Sequence, residues 1–182
     1  MALLLALAPL AARADDLPPA FVTDPLSGVA IDGYDPVSYF LLAAPLKGVP
    51  DFEFDWAGVP WYFANAANRD VFARAPLTYA PQFGGHGTVA LSHGYLSDGN
   101  PLIYRVAAQR LYLFYSGANR DEFDVDPGGV IKRAEAQWAT FAKNLAPIPG
   151  TPLSAVTKPP TPPPAPANAP APAPTAAPAA AH

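Results

Sequence analysis

The sequence contains no cysteine, and its single methionine is Met1. A chain without thiols forms no disulfide bonds, so the burial of apolar side chains has to stabilise the fold. Copper(I) sites and structural zinc sites depend on sulfur ligands. Apart from Met1, this chain offers only imidazole and carboxylate groups as side-chain metal ligands. Soft-metal chemistry of the thiolate type is therefore excluded.

Positive charge is also scarce. Residues 15–146 hold nine Lys and Arg side chains against fifteen Asp and Glu, which gives this part of the chain a net charge of −6. The basic side chains form no stripe along the sequence. Binding to nucleic acid depends on such a stripe, so no nucleic-acid partner is expected.

No apolar run is long enough to span a bilayer. The longest run, residues 2–10, falls well short of the ~20 residues that a transmembrane helix needs. It is followed by Ala12-Arg13-Ala14, which matches a secretory cleavage site. We therefore predict a signal peptide at residues 1–14, an exported protein in the periplasm or secreted, and no transmembrane anchor.

The C-terminal residues 147–182 consist mainly of proline and alanine, and Lys158 is their only charged residue. Such a composition offers little apolar area to bury and few backbone donors. We predict a disordered spacer of polyproline II character. The remaining residues, 15–146, are enough for one domain with a hydrophobic core.

Local patterns predict the elements of this domain. Residues 52–56 alternate apolar and acidic side chains as a half-buried strand does, and the turn at Ala57-Gly58 makes them one arm of a hairpin. The element order is αββαβββαα, which predicts an α+β fold with a small antiparallel sheet, flanking helices and no internal repeat. The predicted elements are a helix from Asp35, strands at 52–56 and 59–63, a helix at 65–75, strands at 88–92, 102–106 and 110–115, a short helix near Asn119 and a helix at 131–145.

Several motifs, in the same order along the chain, resemble the YHS domain and more specifically its exported bacterial subgroup. The resemblance extends from Val29 to Trp138. It rests on an upstream Gly-Tyr-Asp-Pro-Val-x-Tyr-Phe segment, an aromatic pair before a short helix, a downstream Leu-Tyr-Leu strand and a final Ala-x-x-x-Trp helix. The matching residues are 33–40, Gly58, Tyr62, Phe63, Phe72, Pro76, Tyr79, 111–113, Ala134 and Trp138.

The resemblance implies an association with heavy-metal handling, because YHS domains of metal-transport proteins carry cysteines that bind soft metals. This chain departs from the pattern at each of those positions. Ala64 and Asn68 stand where the two cysteines after the aromatic pair would lie. The subgroup's Gly-Gly-Tyr-Cys motif reads Gly84-Gly85-His86-Gly87 here. The departure puts metal binding of the family's type in doubt.

His86 and His93 are the candidate metal ligands that remain in the domain. If Thr88–Ser92 is a strand, these two side chains, seven residues apart, point to opposite faces and cannot share one ion. A divalent transition metal is the cofactor that such ligands would suit, but H-E-x-x-H is absent and the ligands are too few for a typical site.

The acidic residues between 119 and 129 resemble a calcium loop only loosely, since the regular ligand order and the closing Glu are missing. They are Asp121, Glu122, Asp124 and Asp126, and helix capping explains them better. Asp35, with Tyr34 and Tyr39, either lines a pocket or caps a helix. Catalysis has little support, because there is no G-x-S-x-G motif and the adjacent Ser92 and His93 do not form a triad.

The aromatic side chains fit a hydrophobic core, and some of them could instead line a ligand cleft. These are Trp56, Trp61, Tyr62, Phe63, Phe72, Tyr79, Tyr112, Phe114 and Trp138. We therefore expect an exported, monomeric, non-catalytic YHS-like domain that binds a small molecule, a metal ion or an envelope partner. The alternatives are a copper, iron or zinc handling protein that uses His86, and an enzyme with an acidic or aromatic cleft.

Overall fold

The computed structural model describes residue 17 and residues 19–149. The predicted signal peptide and nearly all of the predicted tail lie outside these residues. Helices and strands alternate as two hairpins, each followed by helices, and the α+β prediction is confirmed. The strands pair as two separate antiparallel sheets of two strands each. The elements are α1 Ser38–Leu41, β1 Val49–Trp56, β2 Val59–Phe63, α2 Ala66–Arg74, α3 Pro76–Tyr79, α4 Thr88–Ser92, β3 Asn100–Ala107, β4 Arg110–Phe114, α5 Gly117–Val125 and α6 Pro127–Phe141.

Both hairpins close through two residues in the left-handed region. In the first, Ala57 and Gly58 have φ angles of 55° and 78°; in the second, Ala108 and Gln109 have φ angles of 49° and 58°. Positive φ at both central positions is the geometry of a type I′ turn, whose twist matches that of the flanking strands. The predicted hairpin and the two later predicted strands are therefore confirmed.

The predicted strand at Thr88–Ser92 is wrong, because these residues form the helix α4. Thr88 and Val89 favour a strand locally. All five residues are buried, however, and α4 packs against α6. A short apolar run that is buried on every side lacks the periodicity that separates a helix from a strand, so packing decided its conformation.

The expectation of no internal repeat is also wrong. The stretch from β1 to Pro76 recurs 51 residues later, from β3 to Pro127, with strands and helix of equal length in each copy. Both helices begin in the same way: the Asn65 side chain accepts a hydrogen bond from the Asn68 amide, and the Ser116 hydroxyl accepts one from the Asn119 amide. Seven of the fifteen residues from 62 to 76 are identical in the second copy, namely Phe63, Ala67, Asn68, Arg69, Asp70, Phe72 and Pro76.

The repeat continues upstream with an offset of 52 residues. Residues 31–33 have φ angles of 43°, 53° and 71°, and residues 83–85 have φ angles of 54°, 64° and 84°. Three consecutive left-handed residues are rare, so their recurrence marks the same backbone path. Isolated antiparallel bridges follow in both copies, Tyr34 with Lys47 and His86 with Asp98. We call residues 31–76 the first unit and residues 83–127 the second unit.

In each unit, hydrogen bonds join the two ends of the loop that follows the left-handed residues, and these bonds agree with the equivalence of the two units. Gly48 donates to the Gly33 carbonyl at 2.8 Å, and Gly99 donates to the Gly85 carbonyl at 3.0 Å. The amide of Asp35 donates a hydrogen bond to the carbonyl of Leu46, and the amide of Gly87 donates one to the carbonyl of Ser97. Asp35 and Gly87 therefore occupy the same position in the two units.

Each unit contributes most of one hydrophobic cluster. The first cluster includes Trp61, Phe63 and Phe72, and the second includes Phe114, Phe123 and residues of α6. Equivalent ring pairs have nearly equal geometry: Phe63 and Phe72 lie 5.1 Å apart, and Phe114 and Phe123 lie 5.0 Å apart.

The expected core position of the aromatic side chains is confirmed for most of them. Six are buried, namely Trp61, Phe63, Phe72, Tyr112, Phe114 and Trp138, and the half-buried three are Trp56, Tyr62 and Tyr79. Among the residues that the structure describes, no helix has the length and apolar character to cross a membrane.

Candidate functional site

Asp35 is completely buried at the start of the first unit. Its Oδ1 accepts a hydrogen bond from the Val37 amide at 2.9 Å. Its Oδ2 accepts two more, from the Ala64 amide at 3.0 Å and from the Asn68 side-chain amide at 2.6 Å. The predicted capping role is wrong, because Val37 is the N-cap residue of α1 and no side chain caps that helix. The Asp35 carboxylate instead closes the turn that precedes α1 and connects it to the N-terminus of α2.

Two of the residues that donate hydrogen bonds to Asp35 stand at the positions where the YHS resemblance implies cysteines. Ala64 and Asn68 converge on one carboxylate, which places a network of a carboxylate and amides where the family's thiols would lie. The groups around the Asp35 carboxylate oxygens are hydrogen-bond donors, and none of these groups is a metal ligand. A metal ion bound there would have to displace hydrogen bonds to a charged acceptor, which contribute about 1.5–3 kcal/mol each.

Tyr34 and Tyr39 do not join Asp35 in one pocket. The Tyr39 hydroxyl donates to the Pro101 carbonyl at 2.9 Å, and its ring contacts the Tyr104 ring edge to face at 4.9 Å. Burial raises the pKa of Tyr39 far above its usual value, so the phenol stays protonated. Tyr39 therefore connects the first unit to the second, and Tyr34 lies below the Lys47 ammonium group, 4.1 Å from ring centroid to nitrogen.

A depression of the surface, open to solvent and about 250 Å³ in volume, lies beside Lys47, and we call it the Lys47 cavity. Its lining includes the polar residues Asp24, Asp32, Lys47 and Tyr62, together with Gly48. Gly48 has to be glycine, since a Cβ there would come within 2.3 Å of the backbone of Tyr62. The sequence interpretation missed this cavity, because the left-handed turn at 31–33 that shapes it has no strong local signature.

His86 is nearly buried, with 13% of its side chain exposed. Its ring lies 6.0 Å from the Trp138 ring, and its Nδ1 atom lies 3.8 Å from the nearer carboxylate oxygen of Asp98. Burial lowers the pKa of His86, and the nearby Asp98 charge and a hydrogen bond with the Ser97 backbone oppose that effect. Within the described chain, the Ser97 Oγ atom is buried and has no hydrogen-bond partner.

His93 lies at the C-terminal end of α4 and is half exposed. Its Nε2 atom lies 3.0 Å from a carboxylate oxygen of Glu122. The two histidines thus flank a helix rather than a strand, and each contacts a different carboxylate. Over residues 19–149, no group of three or more histidines and carboxylates could hold one metal ion.

The four acidic residues between 119 and 129 have separate partners. Asp121 pairs with Arg120, Glu122 with His93, and Asp124 with Arg105, whose Nε lies 2.9 Å away. Asp126 instead caps α6 by accepting a hydrogen bond from the Gly129 amide. The Ser92 hydroxyl donates a hydrogen bond to the Val89 carbonyl at 2.8 Å, and both residues belong to α4.

Comparison of the chain with family models, with curated proteins and with solved structures gave no match. The YHS resemblance therefore stays an interpretation of the motifs. The position of Asp35 between Ala64 and Asn68 is the structural fact that bears on it most directly.

Proposed function

We propose that this chain is an exported, non-catalytic, YHS-like binding domain that holds a small polar molecule in the cavity beside Lys47. The observation that carries the proposal is this cavity of about 250 Å³, which one lysine and two aspartates line. Ligand sites are concave and hold a few convergent polar groups. The volume lies just below the range of drug-sized sites, about 300–1,000 Å³, which favours a ligand of amino-acid size.

The wall charges favour a zwitterion. Lys47 can pair with an anionic group, and Asp24 and Asp32 can accept hydrogen bonds from an ammonium group. Hydrogen bonds from the backbone and side chain of Ser27 lower the pKa of Asp24, so its carboxylate is ionised at neutral pH. A single carboxylate–ammonium compound would satisfy both signs of charge.

The test is a nuclear magnetic resonance titration of the full chain with a panel of free amino acids. Amide shifts at Gly33 and Gly48 that saturate with ligand would support the proposal. Lys47→Gln should weaken binding at least tenfold, whereas Lys132→Gln, an exposed lysine on α6, should leave it unchanged. Native mass spectrometry of protein from its own host would show any retained organic ligand. Saturating shifts elsewhere, or none at all, would contradict the cavity as the site.

Metal handling through His86 is the second candidate, and the Asp98 carboxylate 3.8 Å from His86 Nδ1 favours it. The third, an enzyme with an acidic or aromatic cleft, gains no support from the carboxylates at 121–126, which face four different partners.

A further inference from the structure

The first unit contains only the first turn of the helix that covers the second unit. α3 and α6 start at equivalent prolines, Pro76 and Pro127, and the residues before them have φ and ψ angles of −147° and 58° in the first unit and of −144° and 70° in the second. α6 continues for 15 residues and packs against α4. α3 has four residues and ends before Ala80, where Pro81 disfavours a helical conformation.

Exposed leucines lie where a longer helix would pass. With the offset of 52 residues, Leu41 and Leu42 at the end of α1 correspond to His93 and Gly94. In the second unit α6 passes close to this position, because a Cβ at Gly94 would lie 3.8 Å from the Gln137 side chain. In the first unit Leu41 is 65% exposed and Leu42 is 49% exposed. The position that α6 covers in the second unit is therefore open in the first.

The open surface continues from α1 to α3. The rings of Phe40 and Tyr79 meet edge to face at 5.4 Å, and both are half-buried, whereas the equivalent Ser92 and Val130 are buried. Leu77, also on α3, is exposed. These exposed or half-buried apolar side chains form what we call the α1–α3 surface, namely Phe40, Leu41, Leu42, Leu77 and Tyr79.

The chain that follows α6 runs onto the first hydrophobic cluster. Leu145 packs against both clusters, and Ile148 packs against the first. Phe40 and Tyr79 pack against that same cluster. The described residues end at 149, so residues 150–182 start beside the cluster that the α1–α3 surface borders.

The sequence of this segment fits an apolar surface only near its start. Residues 150–182 contain two apolar side chains other than alanine and proline, and these are Leu153 and Val156. Thr151 and Pro152 precede them, and a capping residue followed by proline is a signal for the start of a helix. A spacing of three residues places Leu153 and Val156 on one face of such a helix.

We propose that residues 151–157 dock on the α1–α3 surface as a short helix, in the place that α6 occupies in the second unit. Neither residues 40–46 nor residues 150–157 contain a charged side chain, so the contact places no charge in apolar surroundings. Pro159 ends the helix, and residues 159–182 keep the predicted role of a spacer. The contact is independent of the Lys47 cavity, so either proposal can fail alone.

The absence of cysteine makes a direct test possible, because one introduced cysteine takes a spin label at a single known position. The experiment is nuclear magnetic resonance of the full chain with a nitroxide at Ser154→Cys, which broadens the signals of nearby amides. The amide signals of Leu41, Leu42 and Leu77 should lose at least half of their intensity. The same label at Thr175→Cys, within the spacer, should leave them unchanged.

Matched variants test both sides of the contact. Leu153→Ser with Val156→Ser, added to Ser154→Cys, should restore the three signals. The control pair Ala176→Ser with Ala179→Ser has the same spacing and should not restore them. Leu41→Ser with Leu42→Ser should restore the Leu77 signal, and these two side chains are exposed, so their substitution leaves the core unchanged.

A mixture of isotope-labelled chains with separate spin-labelled chains distinguishes a contact within one molecule from a contact between copies. The proposal requires that the mixture shows no broadening at the α1–α3 surface. Broadening in the mixture would assign the surface to a second copy and overturn the proposal. Equal effects of the labels at 154 and 175, no broadening from 154, or broadening that persists in Leu153→Ser with Val156→Ser would each overturn it as well.

Discussion

Replacing Asp35 by alanine tests the role of the carboxylate that connects α1 to α2. The change leaves the amides of Val37 and Ala64 without their acceptor, together with the Asn68 side chain. Each buried donor left unpartnered costs about 1–3 kcal/mol, and Asn68 can rotate toward solvent. We therefore expect a loss of ~3–4 kcal/mol in the free energy of unfolding, which lowers the melting temperature by roughly 10 °C.

The assay is urea unfolding followed by circular dichroism, with Asp51→Ala as the control. Asp51 is exposed on β1, so its substitution should change the stability by less than about 0.5 kcal/mol. A double-mutant cycle between Asp35→Ala and Asn68→Ala should give a coupling of ~1.5–3 kcal/mol, the range for hydrogen bonds to a charged acceptor. A loss below 1 kcal/mol for Asp35→Ala would refute the view that this carboxylate connects the two helices.

Three further predictions concern the second hydrophobic cluster, the repeat and His86. Trp138→Ala should destabilise the protein by ~3–5 kcal/mol in urea unfolding, because Trp138 is buried in the second hydrophobic cluster; a near-neutral result would contradict that position. Asn65→Ala and Ser116→Ala should each cost ~1 kcal/mol by the same assay, because they cap equivalent helices; losses differing by more than twofold would contradict the equivalence. The pKa of His86 is lowered in the folded state, so the unfolded chain binds its proton first as the pH falls below ~6.5, and stability should decline there. Melting curves from pH 7.5 to 5 should show a shallower decline for His86→Gln, and an unchanged slope would be inconsistent with this linkage.

The sequence predicts the elements whose ends carry local signals. Asn65 opens α2 and Pro76 ends it, and the spacing of apolar residues indicates α6. Those signals act over a few residues, so tertiary contacts do not alter them. At α4 no cap or stop residue contributed, and burial from several directions decided the conformation instead.

The repeat was missed because its identities are concentrated in one helix. From 62 to 76 nearly half of the positions agree, but the hairpin strands share backbone shape rather than side chains. A faint signal was present: Gly33-Tyr34 and Lys47-Gly48 flank the first loop, and Gly85-His86 and Asp98-Gly99 flank the second. Glycine permits the left-handed residue before each bridge and the close approach after it, so the glycines recur while their neighbours change.

The two units share a backbone path but carry different side chains on it, and the candidate sites depend on those different side chains. One backbone path holds a carboxylate at Asp35 in the first unit and a bare Gly87 in the second, and it holds an ammonium group at Lys47 in the first and a carboxylate at Asp98 in the second. Single-residue patterns cannot show such exchanges, because each residue alone has an ordinary explanation as a cap or a surface charge. Comparison of the two units shows which side chains differ at equivalent positions. It identifies the Asp35 network as structural, since three donors surround the carboxylate, and it shows that the charge at Lys47 is reversed at the equivalent Asp98.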